Sequence, residues 1–291
     1  MPTYRTDRYF QLFNSLMLVF VSLSMLAPLI HLAAVSFSSQ KYVGAKLVYF
    51  WPRDFNIEVY KTIFATDSLW RALGVSVYIT VFGTIIALLF TSTMAFALSR
   101  PNMLYRKLVL KGIIVTFVFS APLIPSYLLV RSLYMDNTLW ALMIPGALTA
   151  FNVIIMKTFF QGISAELFDA AKIDGCNEWS IYGRIAIPMS TPVIATIALF
   201  HAVGQWNSYF GALIYIRTKT LMPIQVVLRN LVIEDNLTSL PQLTTVDLAR
   251  AATPEMMKAG IILFGTVPIL IIYPFLQKYF VKGAMLGSLK E

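Results

Sequence analysis

The sequence predicts an all-α, polytopic membrane protein of six transmembrane helices, and three observations carry that prediction. Of 291 residues, 58% are hydrophobic and only 13% are charged, with a mean hydropathy of +0.71, whereas soluble domains carry about 25% charged residues. Six apolar runs, 10–37, 72–98, 108–130, 139–160, 191–216 and 259–280, approach or exceed the roughly 20 residues that a hydrocarbon core demands of a helix. All 14 carboxylates fall outside those runs. The connecting segments are too short for a further soluble domain of ordinary size. The chain 1–291 therefore reads as a single transmembrane domain with a prominent loop at 161–190 and a tail at 281–291.

The first run follows Arg5 and Arg8, as the apolar core of a signal peptide would, but it far exceeds the 7 to 15 residues of such a core and reads as a retained span. Segment 56–64, NIEVYKTIF, sets Ile57, Tyr60, Ile63 and Phe64 at helical spacing and suits a helix lying along the membrane. Arg100, Arg106 and Lys107 lie between the second and third runs, with Lys111 in the first turn of the third, while the short loop after the third offers only Arg131. Short loops near helix ends weigh most in setting orientation, so the amino terminus, the 161–190 loop and the carboxy terminus are expected in the cytoplasm. The net charge of +9 is thereby absorbed by topology, and no cluster suited to nucleic acid is left over.

Intramembrane acid-base chemistry and proton coupling keep ionisable groups at membrane depth, and here no carboxylate lies there. His31 and His201 have no Cys, Asp or Glu at ligand spacing, which argues against a metal site. The lone Cys176 cannot form an internal disulfide. No Gly-Lys dipeptide occurs, so the phosphate-cradling loop of a nucleotide hydrolase is missing. The chain reads as no enzyme, binding no cofactor, with its driving force on another chain.

The 161–190 loop contains LFDAAKIDGCNEWSIYGRIAIP, readable as two short helices joined by a turn. Ser164 is a candidate N-cap, Glu166 and Asp169 suit the positive end of the helix dipole, and Leu167, Ala170 and Ala171 form a small apolar face at i, i+3, i+4. Gly175 after Asp174 supplies the residue that tolerates a left-handed turn. Asn177 caps a second helix carrying Trp179, Tyr182 and Ile185 toward the membrane, Pro188 ends it, and Thr191 caps the next span with Pro192 in its first turn. From pattern alone, an amphipathic element resting on the lipid interface is the alternative.

The fifth run, TIALFHAVGQWNSYFGALIYI, is the most polar of the six. Gly204, Ser208 and Gly211 are small residues suited to close helix packing. Gln205, Asn207 and Tyr209 suit either interhelical hydrogen bonds or a hydrated path, where Trp206 or Tyr209 would stack on a sugar ring. Segment 217–257 is long enough to meet a docked protein outside.

Asp169-Ala170-Ala171, three residues, Gly175, nine residues, then Ile185, any residue, Ile187 and Pro188 resembles the EAA motif of permease subunits in binding-protein-dependent ABC importers. That motif usually begins with Glu and ends Ile-x-Leu-Pro, so Asp169 and Ile187 are conservative departures. Gln277, Tyr279, Phe280, Val281 and Gly283, with WNSYF at 206–210, are similar to the sugar-transporting branch that holds the maltose-permease G subunit and lipoprotein-type oligosaccharide permeases. The resemblance implies the type I importer permease fold in a bacterial inner membrane. Its partners would be a second permease subunit in a heterodimer, two cytoplasmic ATPases carrying ATP and magnesium, and an extracytoplasmic sugar-binding protein. The hairpin would be the coupling helix: Glu166, Asp169 and Asp174 offer charge, Ala170 and Ala171 close packing, Gly175 the turn, and Ile185 and Pro188 the return to the membrane. The tail from Lys282 would reach the ATPases as well. The implied cargo is an oligosaccharide, such as an alginate oligouronate. Another solute such as an amino acid, or a channel or scaffold without ATPase coupling, are the alternatives.

Overall fold

The computed structural model describes residues 4–233 and 253–288. Among the described residues every regular element is a helix. Contacts group the chain into two compact units, one from 1–70 with 228–267 and the other from 71–227 with 268–291.

In the first unit, α1 (Tyr4–Ser36) is 33 residues long, or about 50 Å at 1.5 Å per residue, enough to cross a hydrocarbon core with length to spare. Phe10, Phe13 and Phe20 are among many exposed apolar side chains along it, as a lipid-facing surface requires. α2 (Gln40–Gly44) and α3 (Glu58–Ala65) follow. The sequence places a helix correctly at α3, yet Ile57 and Phe64 are exposed and Val59 and Ile63 carry its packing. Those two press on Gly260 of the last helix, α15 (Pro254–Ser288), so closely that a Cβ there would lie 2.5 Å from Val59 Cγ1.

In the second unit, α4 (Asp67–Ser99) continues from Arg71 and stops where Arg100 precedes Pro101, a residue pair that disfavours helical continuation. α5 (Arg106–Val118) and α6 (Leu123–Ser132) then meet at a bend of 119°. Pro122, extended at φ −61° and ψ 152°, occupies the cap position of α6 and breaks the expected continuous run 108–130. The expected run 139–160 is also divided, into α7 (Trp140–Met143) and α8 (Ala150–Gln161), with Pro145 and Gly146 between them. α9 (Ala165–Ile173) and α10 (Glu178–Ile181) make the hairpin. A π-helical turn at Tyr182–Ala186 leads into α11 (Ile187–Met189). Pro188 has no N–H for the carbonyl four residues back at Arg184, and the wider turn takes up that mismatch. After an 80° bend at Ser190 come α12 (Thr191–Trp206), α13 (Phe210–Tyr215), a 3₁₀ turn (Lys219–Leu221) and the start of α14 (Ile224–Ile233), whose residues from Leu228 belong to the first unit.

Six uninterrupted spans are thus not what the helices form. Among the described residues three helical stretches are long and apolar enough without a break, Arg8–Ser36, Asp67–Ser99 and Pro254–Ile272, and up to five result if each bent pair counts as one. Hydropathy registers apolar content and is blind to a backbone bend within it. Segment 234–252, the middle of the expected external stretch 217–257, lies outside the described residues, as do the side chains of the expected terminal pattern from Gln277 to Lys282 and Gly283.

Candidate functional site

Local signals build the hairpin. α9 ends in a Schellman motif, with Gly175 at φ +82°, Gly175 N–H donating to the Lys172 carbonyl at 3.0 Å and Cys176 N–H to the Ala171 carbonyl at 2.9 Å. A Cβ on Gly175 would meet nothing within 4 Å, so conformation alone selects glycine there. Asn177 Oδ1 accepts from Ser180 N–H at 2.8 Å and caps α10 as expected. Ser164 stands at the N-cap of α9 but its side chain makes no capping bond. Thr191 Oγ1 donates back to the Pro188 carbonyl at 2.8 Å, leaving Ser190 at the cap position of α12.

Burial divides α9 into two faces. Phe168 and Ala171 are buried, at 6% and 7% exposure, against Phe96, Phe160 and Ile181. Glu166, Asp169, Ala170 and Ile173 are exposed at i, i+3, i+4, i+7, one stripe of the helix, and Ile173 is 86% exposed. The expected alanine pair is therefore split: Ala170 faces out and Ala171 faces in. Asp174 is exposed beyond the stripe, Ile185 is half-buried in the apolar cluster behind the hairpin, and Pro188 is exposed.

Arg100 holds the two arms of the hairpin to the end of α4. Its guanidinium lies over the Phe168 ring, 4.2 Å from the centroid, and 5.2 Å from that of Phe96. On α10, Glu178 accepts from Arg100 Nε at 3.1 Å and from Nη2 at 3.4 Å, and pairs with Lys172 Nζ of α9 at 3.2 Å. Partial burial pushes the Glu178 carboxyl up, but the Lys172 hydrogen bond and the charge and hydrogen bonds of Arg100 outweigh it, and its pKa lies below the ordinary value. Tyr182, expected to face the membrane, hydrogen-bonds Ser92 at 2.7 Å and packs on Phe96, while Trp179 is 73% exposed. In the sequence Arg100 counts toward topology alone, and Phe168 and Glu178 carry no signal of a role. Their partners lie on elements far apart in the chain, and the nearest local signal was a basic residue at the end of α4.

On α12, Gln205 is buried and donates from Nε2 to the Leu142 carbonyl at 2.9 Å, with Gly83 close beside its side chain. Trp206 is buried in an apolar cleft with Thr80, Leu199 and Val203. Asn207 is exposed and donates to the Val203 carbonyl of its own helix at 2.9 Å, and Tyr209 is 43% exposed. The four expected path residues therefore do not converge on one surface.

The described residues thus combine long apolar helices, of a kind suited to a membrane, with a braced, charged hairpin whose outer stripe is acidic and aliphatic. Among the described residues there is no group of side chains that could hold a metal. Residues 72–286 match the family described as binding-protein-dependent transport system inner membrane component, and the chain belongs to that family. It is 42% identical over 288 residues to protein LplC of Bacillus subtilis (strain 168), covering 98% of this chain and 96% of that protein. It is 40% identical over 286 residues to the polygalacturonan/rhamnogalacturonan transport system permease protein YtcP of the same organism, covering 98% and 99%. The fold matches a chain in the crystal structure of a bacterial ABC transporter involved in the import of the acidic polysaccharide alginate, with a TM-score of 0.88, 32% identity, and coverage of 96% of this chain and 100% of that one. The family to which the hairpin spacing points is the one to which the chain belongs.

Proposed function

We propose that the chain is one of two permease subunits of an ATP-driven importer that moves an oligosaccharide, a fragment of a larger polysaccharide, across the bacterial cytoplasmic membrane. The observation that carries this reading is the hairpin: one stripe of α9 is exposed while Phe168, Ala171, Arg100 and Glu178 hold the element rigidly to the membrane helices behind it. The permease names of the relatives support the cargo class. In this reading the helices make six crossings, three of them by broken elements, with both termini in the cytoplasm. Glu166, Asp169, Ala170, Ile173 and Asp174 meet one of two cytoplasmic ATPases, which hold ATP and magnesium. A second permease completes the pathway and an extracytoplasmic sugar-binding protein delivers the cargo.

Coupling is then a matter of differential contact. Closure of the ATPase pair favours one position of the docked hairpin, and the hairpin favours the matching arrangement of the helices. Gly175 sets the angle at which α9 is presented. In the reconstituted complex Gly175→Val, whose β-branched side chain disfavours φ +82°, is expected to lose oligosaccharide uptake per ATP hydrolysed. Full uptake together with ATPase activity that still responds to loaded binding protein would overturn the coupling role.

A further inference from the structure

α6 ends in the same Schellman geometry as α9, with Tyr134 N–H donating to the Arg131 carbonyl at 3.0 Å and Met135 N–H to the Val130 carbonyl at 3.1 Å. The position that glycine fills after α9 is filled here by tyrosine, at φ 56°, and its ring is 90% exposed. A side chain in the left-handed region is disfavoured by about 1 kcal/mol relative to glycine, and an exposed ring gains little from packing to offset it. A residue held against local preference invites a search for what it does.

The same loop is fixed from the other side by Asn137, also left-handed at φ 56°. Its Oδ1 accepts from Arg217 N–H and Thr218 N–H, both at 2.9 Å, its Nδ2 donates to Thr218 Oγ1 at 2.9 Å, and its N–H donates to the Tyr215 carbonyl at 2.8 Å. One side chain and its backbone thus pin the 215–218 segment to the loop. The pinning delivers Arg217, whose Nη2 donates to Tyr127 OH at 3.1 Å and lies 3.8 Å from Asp136, while 65% of its side chain stays exposed. Tyr127 in turn stacks on Tyr215, with centroids 6.1 Å apart and planes within 11°. Arg131, exposed, sits one helical turn beyond Tyr127 on α6, and Lys219, exposed, follows two residues after Arg217. Arg131 and Lys219 thus add two exposed basic side chains close in sequence to the cluster, within which Arg217 pairs with Asp136.

A guanidinium at the hydroxyl edge of a stacked pair of aromatic rings combines the two elements that recognise a sugar ring bearing a carboxylate: a ring on which the sugar stacks, and N–H donors for the carboxylate. α8 and α12 connect the hairpin to the 140–149 and 207–216 stretches, so the cluster sits at the opposite end of these helices from the hairpin. We infer that the Arg217, Tyr127 and Tyr215 cluster, with Tyr134 and Arg131 at its edge, is a receiving site for uronate residues at the extracytoplasmic mouth, and that the cargo class is an acidic oligosaccharide. This rests on the importer reading above and adds the charge of the cargo to it.

The test uses the assembled transporter in proteoliposomes with its binding protein, and compares a uronate trisaccharide with its carboxyl-reduced, neutral counterpart. Arg217→Ala is expected to lower uptake of the uronate about tenfold, Arg217→Lys less than that, and uptake of the neutral sugar by less than about twofold. Tyr134→Gly, which relaxes the backbone and removes the ring, is expected to lower uronate uptake without lowering the melting temperature. Equal losses for both sugars, or none for either, would overturn the proposal. So would a loss of ATPase stimulation by the binding protein carrying either sugar, which would make the cluster a protein-docking surface. If the unaltered transporter imports neither sugar, the importer reading for oligosaccharides fails first, and the two failures are thereby told apart.

Discussion

Arg100 is 16% exposed and touches both arms of the hairpin, so its removal is the sharpest perturbation of the element. Glu178 is 52% exposed, which holds the ion pair to about 0.2–1 kcal/mol despite its two hydrogen bonds. The guanidinium over the buried Phe168 ring adds about 0.5–2 kcal/mol. Together they stabilise the docked hairpin by about 1–3 kcal/mol, which is about 5- to 150-fold in the equilibrium for local opening. In Arg100→Ala, backbone amides of α9 and α10 should exchange with deuterium faster by a factor in that range, while those of α3 stay unchanged. Arg100→Lys keeps a charge for Glu178 but loses the planar stack, and should fall between. Because the folded pKa of Glu178 lies below its unfolded value, the pair's contribution is present above the ordinary carboxylate range and is lost as pH falls through the folded pKa. Protection of the hairpin should therefore decline in acid in the native protein and not in Glu178→Gln. Exchange in Arg100→Ala within about twofold of native would refute the brace.

Three further outcomes are expected. Gly260→Ala, whose Cβ would fall 2.5 Å from Val59 Cγ1 and 2.9 Å from Ile63 Cδ1, should destabilise the protein by about 1–3 kcal/mol, and Val59→Ala should restore part of the loss; a melting temperature unchanged by Gly260→Ala would contradict the close approach. Gln205→Ala leaves the Leu142 carbonyl without its donor and should cost about 1–3 kcal/mol, whereas Asn207→Ala should cost less. Melting temperatures measured beside uptake of two sugars decide between packing and path, since lost stability with unchanged relative uptake would leave Gln205 a packing residue. For orientation, in a Cys176→Ser background, Tyr134→Cys should react with an impermeant thiol reagent outside intact cells and Asn102→Cys and Asn177→Cys should not; the reverse pattern would invert the topology.

The features legible in the sequence are those whose causes lie within a few residues. Gly175 and Asn177 declare a left-handed turn and a cap by residue type and position, and both geometries are present. α1, α4 and α15 announce themselves by uninterrupted apolar length. The bends at Pro122 and between Met143 and Ala150 carry proline as a local mark, but an apolar window sums over it. The split of Ala170 from Ala171 depends on which way Phe168 is drawn, and that is set by Phe96 and Phe160 on other helices. Arg100 and Glu178 stand 78 residues apart, so nothing in the spacing joins them. The outer cluster is similar: Asn137 reads as an ordinary loop residue until its four bonds to 215–218 are seen.

Arg100 directly follows the last residue of α4, and α4 runs for 33 residues without a break. A helix of that length is a rod of about 50 Å. If the hairpin tilts the end to which Arg100 ties it, the movement is not absorbed by a loop, because no loop lies between them. A tilt of about 10° about one end of a rod of that length displaces the other by about 9 Å. Under the proposed coupling role, the brace would make α4 a lever, so that a push on the α9 stripe is passed along the helix instead of being lost at a joint.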